Sequence, residues 1–564
     1  MALKDYSGGL KFGIMLNSMT VQKWQYESLK SLLDLPKVDA VVIILNDTPG
    51  VKRKNFFSRV LNYKWHNFLF NQYYRYFFKP VVFRYTSVKE LLKDIPLIKI
   101  KPIKKKSSEY FSETDIDQIR NYQPDFIIKF GFGIIRGEIL NSAPLGIWSF
   151  HHGDEQKFRG VPPGFWEVYY KDHRTGAILQ RLTEKLDGGV ILRKGIFKTV
   201  EHSWKGNLEQ AISYSKHWPA HVCNEIMDQG TFPDQTEGVS TNAPLYKVPG
   251  NTTFAIFLLK SIVNRIKFHL NELFYCENWQ LGIIKARTAD ILGSLQYDID
   301  LEEVDFLAAK NSDHYFADGF AVKDGERLLL LFENYSYKNR MGHLSSVWFN
   351  EREYTFTEPV TILKEPWHLS YPFVFKYKGA TYCLPECKDH KNVELYKLDT
   401  VSMKLVHVRT LIKDIEAVDP SLIYHQNRWY LFFTAGYATN TELHIWHADE
   451  LEDEFKPHVL NPVKSNVSNS RPAGSLFYLD GKLYRPSQDC SRSYGGRIII
   501  NEVKILSEES FLESTVNVLE PPEGFQGIHN LSFAGDSMLF DCKKMKFSPA
   551  NFFYQLKRKS GLSK

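Results

Sequence analysis

Apolar residues in the first 135 positions fall into short unbroken runs, and the stretches between them carry helical spacing. Residues 12–16 form one such run, residues 21–33 follow with helix-like periodicity, and residues 38–45 give a continuous Val/Ile/Leu run before the breaker sequence from Asn46 to Gly50. Runs of this kind are strands buried on both faces, and strand, helix and strand in succession predict a parallel sheet with right-handed crossovers. Residues 51–100, rich in Phe, Tyr and Lys, read as an irregular or helical insertion. Residues 112–121 begin with acidic side chains and predict a helix, and residues 125–130 predict a further strand. That strand leads into Gly131, Phe132 and Gly133. Ligands of open α/β sheets bind beyond the carboxyl ends of the strands, so this loop predicts one wall of a binding crevice. The first 235 residues are therefore expected to form a doubly wound α/β domain.

Residues 236–284 read as a linker carrying one amphipathic helix, at 253–274, with Phe254, Phe257, Leu258, Ile262, Ile266 and Leu270 near helical spacing. Lys260, Arg265 and Lys267 interrupt it, which makes it too polar to cross a bilayer. It is expected to pack against a domain or partner, with shallow attachment to a membrane surface as the alternative.

From residue 285 the pattern changes to period-two strands rich in aromatics, arranged as a repeat. Five segments open in the same way: at Phe316 to Phe320, Ser370 to Val374, Val418 to Leu422, Pro472 to Leu476 and His529 to Phe533. Each is followed by a strand and a tight turn, at Gly325, Gly379, Asn427, Gly481 and Gly535, spaced 54, 48, 54 and 54 residues apart. Periods near 50 with glycine turns and aromatic strands predict a β-propeller, and five units predict five blades over residues 285–564.

Composition adds limits. The chain has 564 residues, with 43% hydrophobic and 24% charged, an ordinary globular balance. A net charge of +6 over this length gives no reason to expect a nucleic-acid partner. The local cluster of Lys99, Lys101, Lys104, Lys105 and Lys106 reads as a solvated loop. Six scattered cysteines without paired metal-ligand spacing predict reduced thiols and no metal site. With no apolar signal core at the start of the sequence, a cytoplasmic protein is expected.

The candidate chemistry lies in Ser149, Phe150 and His151, just after an apolar run, and in Asp187 within the turn Leu186 to Gly189. A neutral imidazole can take the proton of an attacking amine, and a carboxylate can fix its tautomer and stabilise the imidazolium. Phe158-Arg159-Gly160 closes the loop after His151, Thr175-Gly176 marks a turn, and Leu186-Asp187-Gly188-Gly189-Val190-Ile191 follows. This ordered set, with residues 124–135 upstream, resembles the formyltransferase family over residues 10–230. The resemblance implies transfer of a formyl group from 10-formyltetrahydrofolate to an amine, with His151 as base, Asp187 orienting it and Ser149 polarising the formyl carbonyl. It sets the folate against Gly131, Phe132, Gly133, Asp154 and Gly189, and leaves His152 and Arg159 to hold the acceptor. Three positions depart from the family. Ser149 stands where it has a catalytic Asn, Gly153 to Gln156 replace a Ser-Leu-Leu-Pro loop, and Gln180 replaces a His.

The repeat resembles five-bladed propellers of the glycoside hydrolase family 43 type, and the propeller-like domain of the plant glucosamine inositolphosphorylceramide transferases. Phe316 to Asp318, His368 to Pro372, Leu384 to Glu386, Val418 to Pro420, Arg471 to Gly474 and Tyr484 to Asp489 carry the likeness. First strands of blades line a central funnel, so Asp318, Asp419, Arg471 and His529 are expected to converge there with His368, Glu386 and Asp489. Two carboxyl groups across a sugar bond would be needed for hydrolysis. A funnel that binds glycan is the favoured expectation. The whole chain then reads as an N-formyltransferase acting on an amino sugar or related amine, with a glycan-recognising propeller. The alternative is a carbohydrate-binding or carbohydrate-processing protein whose first domain has lost formyl transfer.

Overall fold

Leu10–Leu16 is apolar at nearly every position because it runs through the middle of a seven-stranded sheet. The computed structural model describes residues 5–49, 65–185, 188–232, 241–293, 296–311, 313–399, 401–436 and 438–559. The sheet order is Val190–Lys198, Arg174–Arg181, Ile147–His151, Phe126–Lys129, Leu10–Leu16, Val38–Asn46 and Leu97–Ile100. The last five of these are mutually parallel, and the first two run antiparallel at one edge. Phe12, Phe126 and Trp148 stack across neighbouring strands with ring centroids 5.4 and 3.9 Å apart, and all three are fully buried. Each such side chain contributes about 1.5–3 kcal/mol by leaving water.

The helix Lys23–Leu33 buries Trp24, Leu29 and Leu32 on the sheet, and Glu113–Arg120 starts at Ser112, whose hydroxyl accepts the Asp115 N–H at 3.2 Å. The expected insertion at 51–100 falls partly outside the described residues. Its described part holds the helix Phe68–Tyr76 and, unexpectedly, the sheet's edge strand Leu97–Ile100. That strand is exposed, buried, exposed and buried in turn, and Leu97-Ile-Lys-Ile100 is too short, among flanking lysines and prolines, to stand out from a loop.

The second unit is built from five sheets in succession. The first four are His314–Leu363, Ser370–Ile412, Ala417–Ser465 and a sheet centred on Phe477–Leu519. The fifth takes strands from both ends of the repeat: Gly527–Ala534 pairs with Ser537–Phe547, which pairs along eleven residues with Tyr275–Lys285, which in turn pairs with Asp305–Leu307. These are the five blades, and the ring is closed by a shared blade. The periodic turn residues sit at the hairpin tips with φ of 61° (Gly325), 76° (Gly379), 64° (Asn427), 74° (Gly481) and 65° (Gly535). Such backbone is what Gly and Asn tolerate and what tight hairpins require. Four of the five repeated opening segments are β-bulges, with register shifts between Ala317 and Phe320, Ser370 and Phe373, Val418 and Ser421, and Ile528 and Leu531, while Pro472 and Gly474 of the fifth make only isolated bridges.

The chain divides into compact units at Arg265 and Ile266, within the helix Asn251–Phe274. Phe254 and Phe257 of that helix are buried, but Leu259, Ile262, Ile266 and Leu270 are 49–65% exposed, so of the apolar positions expected to pack only those of the first turns do, while Lys260 and Asn264 donate to the Tyr169 and Glu201 carbonyls. No helix among the described residues is long and apolar enough to cross a membrane.

Candidate functional site

Adjacent strands of the first sheet bring four side chains into one row. Met15, Lys129, Ser149 and Gln180 are successive cross-strand partners, so their side chains leave the same face of the sheet. Met15 is buried, while Lys129, Ser149 and Gln180 line a cavity of about 160 Å³. His151, the last residue of its strand, lines the same cavity, as do Gly133, Ile134 and Ile135 from the loop beyond Phe126–Lys129. The cavity lies where the carboxyl ends of the parallel strands meet that loop, as expected for an open α/β sheet.

The loop glycines have steric reasons to be glycine. A Cβ at Gly131 would lie 2.5 Å from the backbone of Leu16 and Asn17. Phe132 has φ of 62° and donates its N–H to Asn17 Oδ1 at 2.7 Å. The Gly133 N–H is held by Glu109 Oε2 at 2.6 Å. A Cβ at Gly189 would lie 2.6 Å from the Gln180 side-chain oxygen. Asp187 lies outside the described residues.

Three further expected residues are placed elsewhere. Asp154 and Glu155 share Lys194, at 3.1 and 2.7 Å, and Asp154 also organises the turn through the Lys157 and Phe158 N–H groups. It braces the loop and is not among the residues lining the cavity. Arg159 sits on a two-residue strand paired with Leu245–Tyr246 and donates to the Ala243 carbonyl at 3.3 Å. His152 alternates away from His151. Its ring meets Trp24 edge-on at 5.3 Å and stacks on Phe150 at 5.8 Å, with Nε2 3.4 Å from Ser215 Oγ. Neither His152 nor Arg159 is among the residues lining the cavity.

Burial, with His151 as a second cause, pushes the His152 imidazole down to about 3. Its unfolded value is near 6.5, so between about 3 and 6.5 the unfolded chain binds the extra proton and stability falls as pH falls. His152→Phe keeps the ring contacts and removes this titration. Below pH 6.5 the variant is expected to gain on the wild type by up to about 1.4 kcal/mol per pH unit, read from urea midpoints at pH 7, 6 and 5. A constant difference across that range would refute the assignment.

In the propeller, the bulged first strands carry a ring of hydrogen bonds from blade to blade. Asp541 accepts the Asp318 N–H at 2.8 Å, Asp318 accepts that of Tyr371 at 3.2 Å, and Glu386 accepts that of Asp419 at 3.2 Å. Arg471 grips Asp419 through Nε and Nη2 at 2.6 and 3.3 Å, and Gln488 donates to the same carboxylate at 2.8 Å. The Tyr371 hydroxyl reaches Ser421 Oγ at 2.8 Å and accepts the Gly474 N–H at 2.6 Å. His529 Nδ1 meets Asp541 at 2.6 Å, Nε2 lies 3.4 Å from Asp318, and the ring stacks on Trp279 at 3.9 Å.

Asp318, Asp419, Arg471 and Glu386 are thus brought together as expected. Asp489 is buried in a different set, holding Arg497 Nε at 3.0 Å. His368 accepts the Gly342 N–H at 2.9 Å and lies 3.6 Å from Glu333. Burial pushes Asp318 up to about 7, opposed by His529 and assisted by Asp541, and pushes Glu386 up to about 8, assisted by Asp419 and opposed by Arg471. Burial disfavours charge on His529, but Asp541 and Asp318 outweigh it and raise its pKa. Asp318, His529 and Asp541 bring potential ligand atoms within 4.8 Å of one another, a grouping the sequence did not suggest. Asp541 and Tyr371 are members of the ring that the sequence did not single out, and Glu333 is a further buried carboxyl near His368. The signal for Glu333 was positional, since it occupies the same register place opposite its bulge as Glu386 does.

Residues 304–527 match the family described as glucosamine inositolphosphorylceramide transferase 1, N-terminal. The protein of that name from Oryza sativa subsp. japonica is 34% identical over 211 residues, which is 36% of this chain and 28% of the relative, so the match spans less than a third of that protein. Methionyl-tRNA formyltransferase from Clostridioides difficile (strain 630) is 30% identical over 153 residues, 27% of this chain and 48% of the relative. Among solved structures, the α-L-arabinofuranosidase PaAbf62A from Podospora anserina in complex with cellotriose is 10% identical with a TM-score of 0.33, covering 42% of this chain and 94% of that one. A likeness so slight carries no functional weight. The chain joins a formyltransferase-like α/β region to a five-bladed propeller, part of which is similar in sequence to part of the plant transferases.

Proposed function

We propose that the first unit transfers a formyl group from 10-formyltetrahydrofolate to the amine of an amino sugar, and that the propeller recognises the glycan part of the acceptor. The observation that carries this reading is the cavity holding Ser149 and His151 at the carboxyl ends of parallel strands in a formyltransferase-like region. The cavity has room for a formyl amide and an attacking amine, and Gly133 leaves one wall free of bulk. The folate supplies the formyl carbon on a nitrogen that can leave. His151 takes the proton of the attacking amine, and Asp187 holds the imidazole in the tautomer that can accept it. Ser149 donates its hydroxyl hydrogen to the formyl oxygen as charge gathers there. The loop of Gly131, Phe132 and Gly133 contacts the folate through its carbonyl groups, since its N–H groups are taken by Met15, Asn17 and Glu109. The choice of an amino sugar is supported by the plant relatives, which are named for glucosamine.

The test is to incubate the full chain with 10-formyltetrahydrofolate and a panel of nucleotide-linked amino sugars and other amines, and to look for formylated product by mass spectrometry. No product from any amine would end this reading. The alternative, a carbohydrate-binding protein with an inactive first unit, is favoured by Ser149 and Gln180 standing at two positions where the family has Asn and His. It predicts no binding of a folate analogue by calorimetry and measurable glycan binding by the propeller.

A further inference from the structure

Among the residues lining the cavity are cations that the residues expected from sequence do not include, and one of them, Lys129, stands on the sheet. Phe126, Ile127 and Ile128 are fully buried, and the strand then ends in a lysine. Burial lowers the pKa of the Lys129 amine and Glu109 acts in the opposite direction. The Glu109 carboxylate is taken up by the Gly133 N–H, and among the described residues no hydrogen bond or ion pair reaches Lys129 Nζ. A partly buried ammonium with no hydrogen-bonded protein partner is stabilised by an anion brought against it. Of the other charged groups lining the cavity, Arg136 and Glu184 lie 4.0 Å apart, and Lys185 belongs to the loop after Arg174–Arg181. Lys129 is the cation carried by the sheet itself, one strand from Ser149 at the same register and on the same face.

We propose that Lys129 is a catalytic residue whose ammonium binds the formyl oxygen as negative charge gathers on it, with Ser149 Oγ as the second donor. It thereby replaces the donor lost where Ser149 stands in place of the family's Asn. The inference rests on the formyl-transfer reading of the same cavity. The acceptor nitrogen bonds to the formyl carbon, and the carbonyl π pair moves to the oxygen held by Lys129. His151 takes one proton from the acceptor nitrogen. As the oxygen's pair returns, the bond between carbon and folate nitrogen breaks, and that nitrogen takes the proton from His151. Lys129 keeps its own protons throughout and acts only by charge and hydrogen bonding.

The test has two arms. In the full chain carrying ¹³C-methylated lysines, the Lys129 signal is identified by its loss in Lys129→Arg and followed by NMR as sodium formate is added. Formate presents the planar, anionic oxygen the site is built to hold. A saturable shift of that signal, weakened in Ser149→Ala, is expected, and an unmoved signal overturns the proposal whether or not the protein turns over. In the kinetic arm, Lys129→Met is expected to lower kcat by about 100-fold, the scale of one lost oxyanion donor, with KM for the formyl donor nearly unchanged and partial recovery in Lys129→Arg. An unchanged kcat in a folded Lys129→Met protein also overturns it. Absence of transfer by the wild type would end the formyl-transfer reading instead, and the formate titration would still decide Lys129.

Discussion

Replacing His151 with alanine is expected to lower the rate of formyl transfer by about 10²–10⁴-fold, the range for losing a positioned general base. His151 is the last residue of Ile147–His151, half-buried, and its strand pairs continue through backbone groups that alanine also has. The fold should therefore survive. A Cβ at Gly153 would approach His151 Nε2 at 3.1 Å, so the glycine avoids crowding that nitrogen. The base acts on the proton of the incoming amine and does not hold the folate. The loss should then appear in kcat, with binding of a folate analogue within about twofold of wild type by calorimetry. A variant that retains full turnover would remove His151 from the mechanism. A variant that loses folate-analogue binding as well as turnover would mark it as a binding residue.

The second large effect is expected in the propeller. Asp419→Ala should destabilise that unit by about 3–5 kcal/mol, because it leaves the Arg471 guanidinium buried without its bidentate carboxylate. Gln488 loses an acceptor in the same step. Asp419 also has φ of 52°, a conformation that alanine adopts less readily than Asp or Asn. Asp419→Asn keeps an acceptor for Arg471 and tolerates the backbone, so it should cost clearly less. Guanidinium unfolding monitored by tryptophan fluorescence would rank the three proteins. Equal midpoints for wild type and Asp419→Ala would show that the blade-to-blade ring does not hold the propeller together.

The parallel strands at Leu10–Leu16, Val38–Asn46 and Phe126–Lys129 could be read from sequence because burial on both faces leaves continuous apolar runs. The hairpin tips could be read because positive φ restricts the residues that fit. The opening segments of the blades were recognised as repeats, but not as bulges. A bulge is defined by what lies opposite, and only the paired strands show that Asp318, Tyr371 and Asp419 are turned into the left-handed region. At the transfer site, Ser149 and His151 were legible through their motif, whereas Lys129 was not. It ends an apolar strand, and only the register with Ser149 gives it a role. His152 and Arg159 look like ligand-binding residues in any local window, and only the fold sets them against Trp24 and Ala243. The segment Tyr275–Lys285 was read as linker because its main partner, Ser537–Phe547, lies more than half the propeller's length away in sequence.

That closing pair has a consequence for how the protein is made. On the ribosome, Tyr275–Lys285 emerges well before Ser537–Phe547 exists. At roughly 5–20 residues per second, it waits on the order of ten to fifty seconds with an unpaired strand edge. During that interval four blades can form hairpin by hairpin, but the ring cannot shut. The chain's most exposed moment is therefore late in synthesis, and a chaperone that shields one strand edge until the last blade arrives would protect the whole propeller.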